Sequence, residues 1–101
     1  MNYYLMLNSE DGFVLQEVKG KQCVYCPSAF IYKNEESYYK YSLVDIDSGF
    51  VICRTKKLKD LQDIYNLVKN KYLNYKKTDA YKIKVERLQK LVLMNNYKKG
   101  S

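Results

Sequence analysis

The stretch YSLVDIDSGFVIC, residues 41–53, decides the fold of this chain. Two β-favouring runs flank Asp47-Ser48-Gly49, and Asp and Gly supply the backbone angles that a short hairpin turn requires. The sequence therefore predicts a strand over residues 38–46, a tight turn at residues 47–49 and a strand over residues 50–53.

The residues before this hairpin also favour strands. Two β-favouring runs, residues 3–7 and 13–18, flank a turn signal at residues 8–12. Residues 23–25 and 29–32 are predicted to form two further short strands, or one strand broken at Cys26-Pro27, because proline cannot donate to a central ladder. Residues 34–36 are a predicted loop.

The residues after the hairpin predict two amphipathic helices. Thr55 is the expected N-cap of the first, whose apolar residues recur at three- and four-residue steps until residues 74–77 interrupt them. Thr78 or Asp79 is the expected cap of the second, and residues 98–101 are expected to fray. The apolar stripe of the second helix is Tyr81, Val85, Leu88 and Val92.

Together these elements predict a single α+β domain over residues 1–101. An antiparallel β-meander of four or five strands comes first, and two C-terminal amphipathic helices pack on the sheet. A chain of 101 residues is long enough for one modest core.

Charge divides between the two parts of this domain. Residues 1–53 carry four lysines against seven acids, a net charge of −3, whereas residues 54–101 carry twelve lysines and two arginines against four acids, a net charge of +10. Such an asymmetry predicts that the basic helical half meets an acidic partner. Nucleic acid, a nucleoprotein complex and an acidic protein surface all satisfy that condition.

Lysines alternate with tyrosines around the predicted junction of the helices. Phosphates attract such cations through counterion release, and exposed tyrosine rings can stack on bases. Lysine outnumbers arginine, which favours non-specific contact over base reading. A lysine-solvated helix face with Tyr72 and Tyr81 in the core explains the same pattern. The candidate binding residues are Arg54, Lys56, Lys57, Lys69, Lys71, Tyr72, Tyr75, Lys76, Lys77, Lys82, Lys84, Arg87 and Lys90.

Residues suited to catalysis or metal binding are few. The absence of histidine removes the usual general base and the commonest metal ligand, so we expect neither an enzyme nor a cofactor. Cys23 and Cys26 have the spacing of a zinc or redox pair, but only Cys53 remains as a further thiol. We expect structural thiols, with zinc or redox chemistry as alternatives. Asp45 and Asp47 share a strand face and lack a third acid nearby in sequence to hold a divalent ion.

The composition also bears on location and on an alternative function. No apolar run approaches the roughly 20 residues that span a bilayer, and the N-terminus lacks a basic signal region, so a cytoplasmic protein is expected. Twelve tyrosines make an amphipathic surface that is both adhesive and able to hydrogen-bond. The alternative is thus a protein-interaction module that binds through a tyrosine-rich sheet.

Residues 43–68 carry a resemblance. Their strand, Asp45-Ile46-Asp47-Ser48-Gly49, second strand and Thr55-Lys56-Lys57 before a helix are similar to a unit of small phage and mobile-element proteins. Size, composition and the lack of catalytic residues also resemble phage-encoded inhibitors of bacterial defence, including anti-CRISPR proteins. The resemblance implies an inhibitor acting in a bacterial host cell, with a CRISPR effector as a partner. Many such inhibitors are acidic mimics of nucleic acid, and this chain departs from that pattern.

Overall fold

Six strands and two helices follow one another along the chain. The computed structural model describes residues 1–10 and 12–100, without the side chains of residues 8–9 and 97–100. The expected α+β class, with strands first and two C-terminal helices, is confirmed. The strands divide into a two-stranded sheet and a four-stranded sheet of order β3-β4-β5-β6, and every pairing is antiparallel. The elements are β1 (Asn2–Ser9), β2 (Gly12–Lys19), β3 (Lys21–Gln22), β4 (Ala29–Lys33), β5 (Tyr41–Asp45), β6 (Val51–Thr55), α1 (Leu58–Tyr75) and α2 (Asp79–Gly100).

The four-stranded sheet is covered on both faces. Ala29 and Leu43 point to one face and pack with the buried stripe of α1, as expected for a helix with a single apolar face. Their neighbours Phe30 and Val44 point to the other face, because side chains alternate along a strand. There the β1–β2 hairpin covers them, with the ring of Tyr3 stacked on Phe30 at 4.4 Å between centroids. Hairpin, sheet and helix therefore form three layers.

The central hairpin forms where the sequence predicts it, but with a wider turn. Ile46 and Phe50 lie outside the strands, and β6 continues to Thr55. In the turn the N–H of Gly49 donates to the carbonyl of Asp45, and Gly49 has a φ of +71°. The carbonyl of Gly49 accepts a hydrogen bond of 3.0 Å from the N–H of Met6 in β1, so the turn joins the two sheets.

The turn between β1 and β2 is shorter than predicted. Residues 8, 9 and 12 of the expected turn belong to the two strands, and Asp11 falls outside the described residues.

Several local predictions were wrong. Residues 23–25 form no strand, because the chain reverses there between antiparallel β3 and β4, with the N–H of Cys23 bonded to the carbonyl of Ala29. Residues 38–40 belong to the loop before β5. Thr55 does not cap α1: it ends β6 and its hydroxyl donates to the carbonyl of Lys57. α2 is assigned as far as Gly100, and Ser101 lies outside the described residues.

The second helix begins as predicted. The hydroxyl of Thr78 accepts a hydrogen bond from the N–H of Tyr81 at 3.2 Å, which is the role of an N-cap. Tyr81 and Leu88 of its apolar stripe are buried, and Val85 and Val92 are half-buried. Among the described residues, neither helix is long and apolar enough to cross a membrane.

Candidate nucleic-acid interface

A buried carboxylate lies where the helices meet the central hairpin. Asp45, the last residue of β5, is 1% exposed, and its Oδ2 accepts hydrogen bonds from the Ser48 hydroxyl at 2.7 Å and the Ser48 N–H at 3.0 Å. These bonds arise locally, since an Asp side chain readily accepts from the backbone of the turn that follows it. A buried charge needs such partners, because without them its desolvation is costly.

Two tyrosines from different helices complete the shell of Asp45. The hydroxyl of Tyr72 on α1 donates to Oδ1 at 2.5 Å, and that of Tyr81 on α2 donates to Oδ2 at 2.9 Å. A third hydroxyl, that of Ser28, lies 2.9 Å from the Tyr72 oxygen. Burial, and then the bond to Asp45, raises the pKa of both tyrosines well above its ordinary value. Both tyrosines are therefore structural groups that stay protonated.

An open cavity of about 300 Å³ lies beside this cluster. Phe50, Val51 and Ile52 form one wall, from the end of the central hairpin, and Val68 and Tyr75 contribute from α1. The hydroxyl oxygen of Tyr75 is buried, and no group in the described part of the chain hydrogen-bonds to it. The cavity is therefore mainly aromatic and aliphatic, with a few polar atoms.

Three lysines lie at or near this cavity. The Lys84 ammonium lies 3.5 Å from the ring centroid of Phe50 and 4.9 Å from that of Tyr75, so it sits against two rings of the cavity wall. Lys71 lines the cavity itself and is exposed. Lys76 lies 5.4 Å from the ring of Tyr72. Rings hold cations in this way through their quadrupoles.

Six lysines lie at the end of α1, in the connection and at the start of α2, and we call this region the basic corner. Residues 69–84 contain these six lysines and one acid, Asp79, which gives a net charge of +5. Among the described side chains the one salt bridge joins Lys33 to Glu35, so in that set no lysine of the corner is paired within salt-bridge distance. The basic corner comprises Lys69, Lys71, Lys76, Lys77, Lys82 and Lys84.

The remaining predicted binding residues fall in several places. Arg54, Lys56 and Lys57 are exposed around the β6–α1 connection, and Lys90 is exposed further along α2. Arg87 is half-buried, with its guanidinium carbon 4.1 Å from the ring centroid of Phe13.

The two tyrosines predicted to stack on bases differ. Tyr72 is 8% exposed and bonded to Asp45, so its assignment to the binding surface is corrected: it belongs to the core. Its burial follows from its place on the apolar stripe of α1, which also predicted this outcome. Tyr75 is half-buried, and both tyrosines line the cavity.

The cysteines lie in the core beneath α1. Cys23, Cys26 and Cys53 are all buried and free of disulfides, as expected of structural thiols. Burial raises the pKa of the Cys53 thiol to about 11, and the other two thiols add to the effect. Within the described part of the chain no group of three or more Cys, Asp or Glu side chains is placed to hold a metal ion.

The Asp45 cluster was missed by the sequence analysis, which considered Asp45 only as a possible ligand of a divalent ion. The sequence did contain a signal for this cluster, because an acid ends an apolar strand and tyrosines occur in the apolar stripes of both helices. Comparison with family models, curated proteins and solved structures finds no match to this chain.

Proposed function

We propose that this protein is a non-enzymatic nucleic-acid-binding protein whose basic corner contacts the phosphate backbone. The observation that carries this proposal is the concentration of six lysines against one acid over residues 69–84. Four of them, Lys69, Lys71, Lys77 and Lys82, are exposed. Phosphates release condensed counterions when such cations approach, which favours binding without base reading.

One feature favours nucleic acid over an acidic protein surface, although lysines as point charges suit phosphates and carboxylates alike. The corner adjoins an aromatic cavity, and binding sites for nucleic-acid strands combine positive charge with aromatic rings.

Fluorescence anisotropy with a labelled 20-nucleotide single strand, at 50 and 200 mM salt, tests the proposal. We expect log K to fall with log salt by roughly 0.7 for each phosphate neutralised. The variant Lys77→Glu/Lys82→Glu should weaken binding strongly. The matched control is Lys19→Glu/Lys21→Glu, which changes the net charge equally at two exposed lysines of the sheet side. Equal losses in both variants, or no binding at 50 mM salt, would refute the proposal.

A nucleoprotein effector is the partner that the resemblance to defence inhibitors implies. On this proposal the basic corner contacts guide RNA or DNA within a CRISPR-type effector. The measurement is cleavage by a purified effector in the presence of the wild type and of the two charge-reversed variants. The inhibitor role requires that Lys77→Glu/Lys82→Glu relieve inhibition and that the control retain it.

The second candidate function is protein binding through the tyrosine-rich side of the sheet. One observation favours it: Tyr38 is 69% and Tyr39 46% exposed in the loop before β5, with the Lys56 ammonium 4.1 Å from the Tyr38 ring. Exposed aromatic residues are enriched at protein–protein interfaces. The variant Tyr38→Ser/Tyr39→Ser separates the two functions, because only the protein-binding one predicts that it loses partner capture while nucleic-acid affinity persists.

A further inference from the structure

We infer that the cavity beside Asp45 receives one unstacked base of a single strand whose phosphates lie on the basic corner. This inference rests on the proposed function and goes beyond it, because phosphate contact alone does not distinguish a single strand from a duplex. It names a base pocket and predicts that the protein prefers single strands.

The size and walls of the cavity fit a base. Its volume of about 300 Å³ lies at the lower end for sites that hold small molecules, so it suits one planar group. The walls contain the ring of Phe50 and the aliphatic side chains of Ile52 and Val68. Aromatic and aliphatic walls stack on the face of any base, which makes such recognition tolerant of sequence.

The polar groups next to the cavity leave binding to its apolar walls. The hydroxyl oxygen of Tyr75 is buried away from solvent and has no hydrogen-bond partner in the described part of the chain. Asp45 is already saturated by Ser48 and the two tyrosines, so it supports the wall without being needed to bind.

Charge selects a nucleotide over a neutral aromatic ligand. Lys71 lines the cavity, and the Lys84 ammonium stands against the rings of Phe50 and Tyr75. A base in the cavity would bring its own phosphates to these two cations. A base paired in a duplex cannot enter without being unpaired and unstacked, so a single strand binds at lower cost.

The test compares a dT12 strand with a strand of the same length that carries abasic sites throughout. Both present the same number of phosphates, so the proposed function predicts binding to each. The base pocket predicts that wild-type protein binds dT12 about tenfold more tightly, the scale of one base–aromatic stack. If both bind equally, the base pocket is refuted and the phosphate contact stands. If neither binds at 50 mM salt, the proposed function fails and this inference with it.

Variants and spectroscopy locate the effect. Val68→Phe fills the cavity from α1 and should reduce affinity for dT12 to that for the abasic strand, whereas Val14→Phe, the same change at an exposed site on β2, should retain the difference. In the wild type, methyl NMR shifts of Val51, Ile52 and Val68 should respond to dT12 and not to the abasic strand, and unchanged methyl shifts would overturn the inference. Thymidine monophosphate that binds as tightly as dT12 would also overturn it, since the site would then be one for free nucleotides.

Discussion

The hydroxyl of Tyr81 on α2 donates a hydrogen bond of 2.9 Å to Oδ2 of Asp45 at the end of β5. This bond fixes the start of α2 to the central hairpin and thereby sets where the basic corner lies relative to the cavity. Tyr72 holds the other carboxylate oxygen from α1. One buried carboxylate thus orients both helices that carry the proposed interface.

Removing this bond should destabilise the fold measurably. Hydrogen bonds to charged groups contribute about 1.5–3 kcal/mol, and for Tyr81→Phe we expect the lower end because Ser48 still donates to the same oxygen. Chemical denaturation measures the change in the free energy of unfolding. Tyr39→Phe makes the same change at an exposed ring and should have no effect; an equal loss in both variants would contradict the structural role of the bond.

The same cluster predicts how stability depends on alkaline pH. Burial and the bonds to Asp45 raise the pKa of Tyr72 and Tyr81 in the folded state above the unfolded value of about 10. Their stabilising contribution is therefore complete below pH 10 and is lost as pH rises towards the folded-state pKa, by up to about 1.4 kcal/mol per pH unit for each group. The Cys53 thiol, with its pKa raised to about 11, starts to add to this loss of stability near pH 9.

Denaturation at pH 8, 9, 10 and 11 checks this expectation. Wild-type stability should fall above pH 9, and Tyr81→Phe should fall less steeply above pH 10 because one titrating group has gone. Tyr38→Phe is the control, since that ring is 69% exposed. Parallel curves for the wild type and Tyr81→Phe would show that Tyr81 does not titrate differently in the two states.

What could be predicted from the sequence was local. The central hairpin depends on Asp47-Ser48-Gly49, and both helices depend on apolar residues at helical spacing, so neighbouring residues sufficed. The strand predicted at residues 23–25 was wrong because the β-favouring side chains there lie in a chain reversal. The reversal is enforced by pairing between β3 and β4, which lies beyond a local pattern.

The site was less predictable because its contacts are distant in sequence. Tyr72 lies 27 residues and Tyr81 36 residues from Asp45, and no periodicity specifies which polar atoms such elements bring together. The concentration of lysines was visible from the charges alone. That Tyr72 is buried against Asp45 while Tyr75 stays half-buried, with both lining one cavity, depends on how α1 packs on the sheet.

The buried cysteines should resist thiol reagents in the folded state. Cys23 is 1% and Cys26 4% exposed, and the raised pKa of Cys53 leaves little thiolate at pH 7.5. We expect Ellman's reagent to label the native protein at least a hundredfold more slowly than the protein in guanidinium chloride, where all three thiols react. Rapid native labelling would place at least one thiol at the surface.

The turn between β5 and β6 should tolerate no side chain at Gly49. Its φ of +71° disfavours an L-residue, and a Cβ there would lie 2.9 Å from Cγ of Met6 and 3.2 Å from its backbone N. Gly12→Ala is the control, because φ is also positive there, at +116°, and no described atom lies within 4 Å of an added Cβ. In thermal unfolding Gly49→Ala should lose at least about 1 kcal/mol more than Gly12→Ala. Equal losses would mean that contact with β1 does not constrain the turn.

Variants of Lys84 and Lys82 should distinguish the effect of packing on stability from the effect of charge on binding within the basic corner. Lys84 sits against the rings of Phe50 and Tyr75, whereas Lys82, two residues away, is exposed. Lys84→Met keeps the aliphatic stem and removes the ammonium, so it should cost about 0.5–2 kcal/mol of stability through the lost cation–π contacts. Lys82→Met should change stability by less than about 0.5 kcal/mol, as is usual at the surface.

Each variant removes one positive charge, so the salt dependence of nucleic-acid binding should decrease equally in both, by roughly the contribution of one phosphate. Unequal stability with equal salt dependence is the expected pair of results. If Lys84→Met alone reduced the salt dependence, Lys84 would contact phosphate and Lys82 would lie outside the interface.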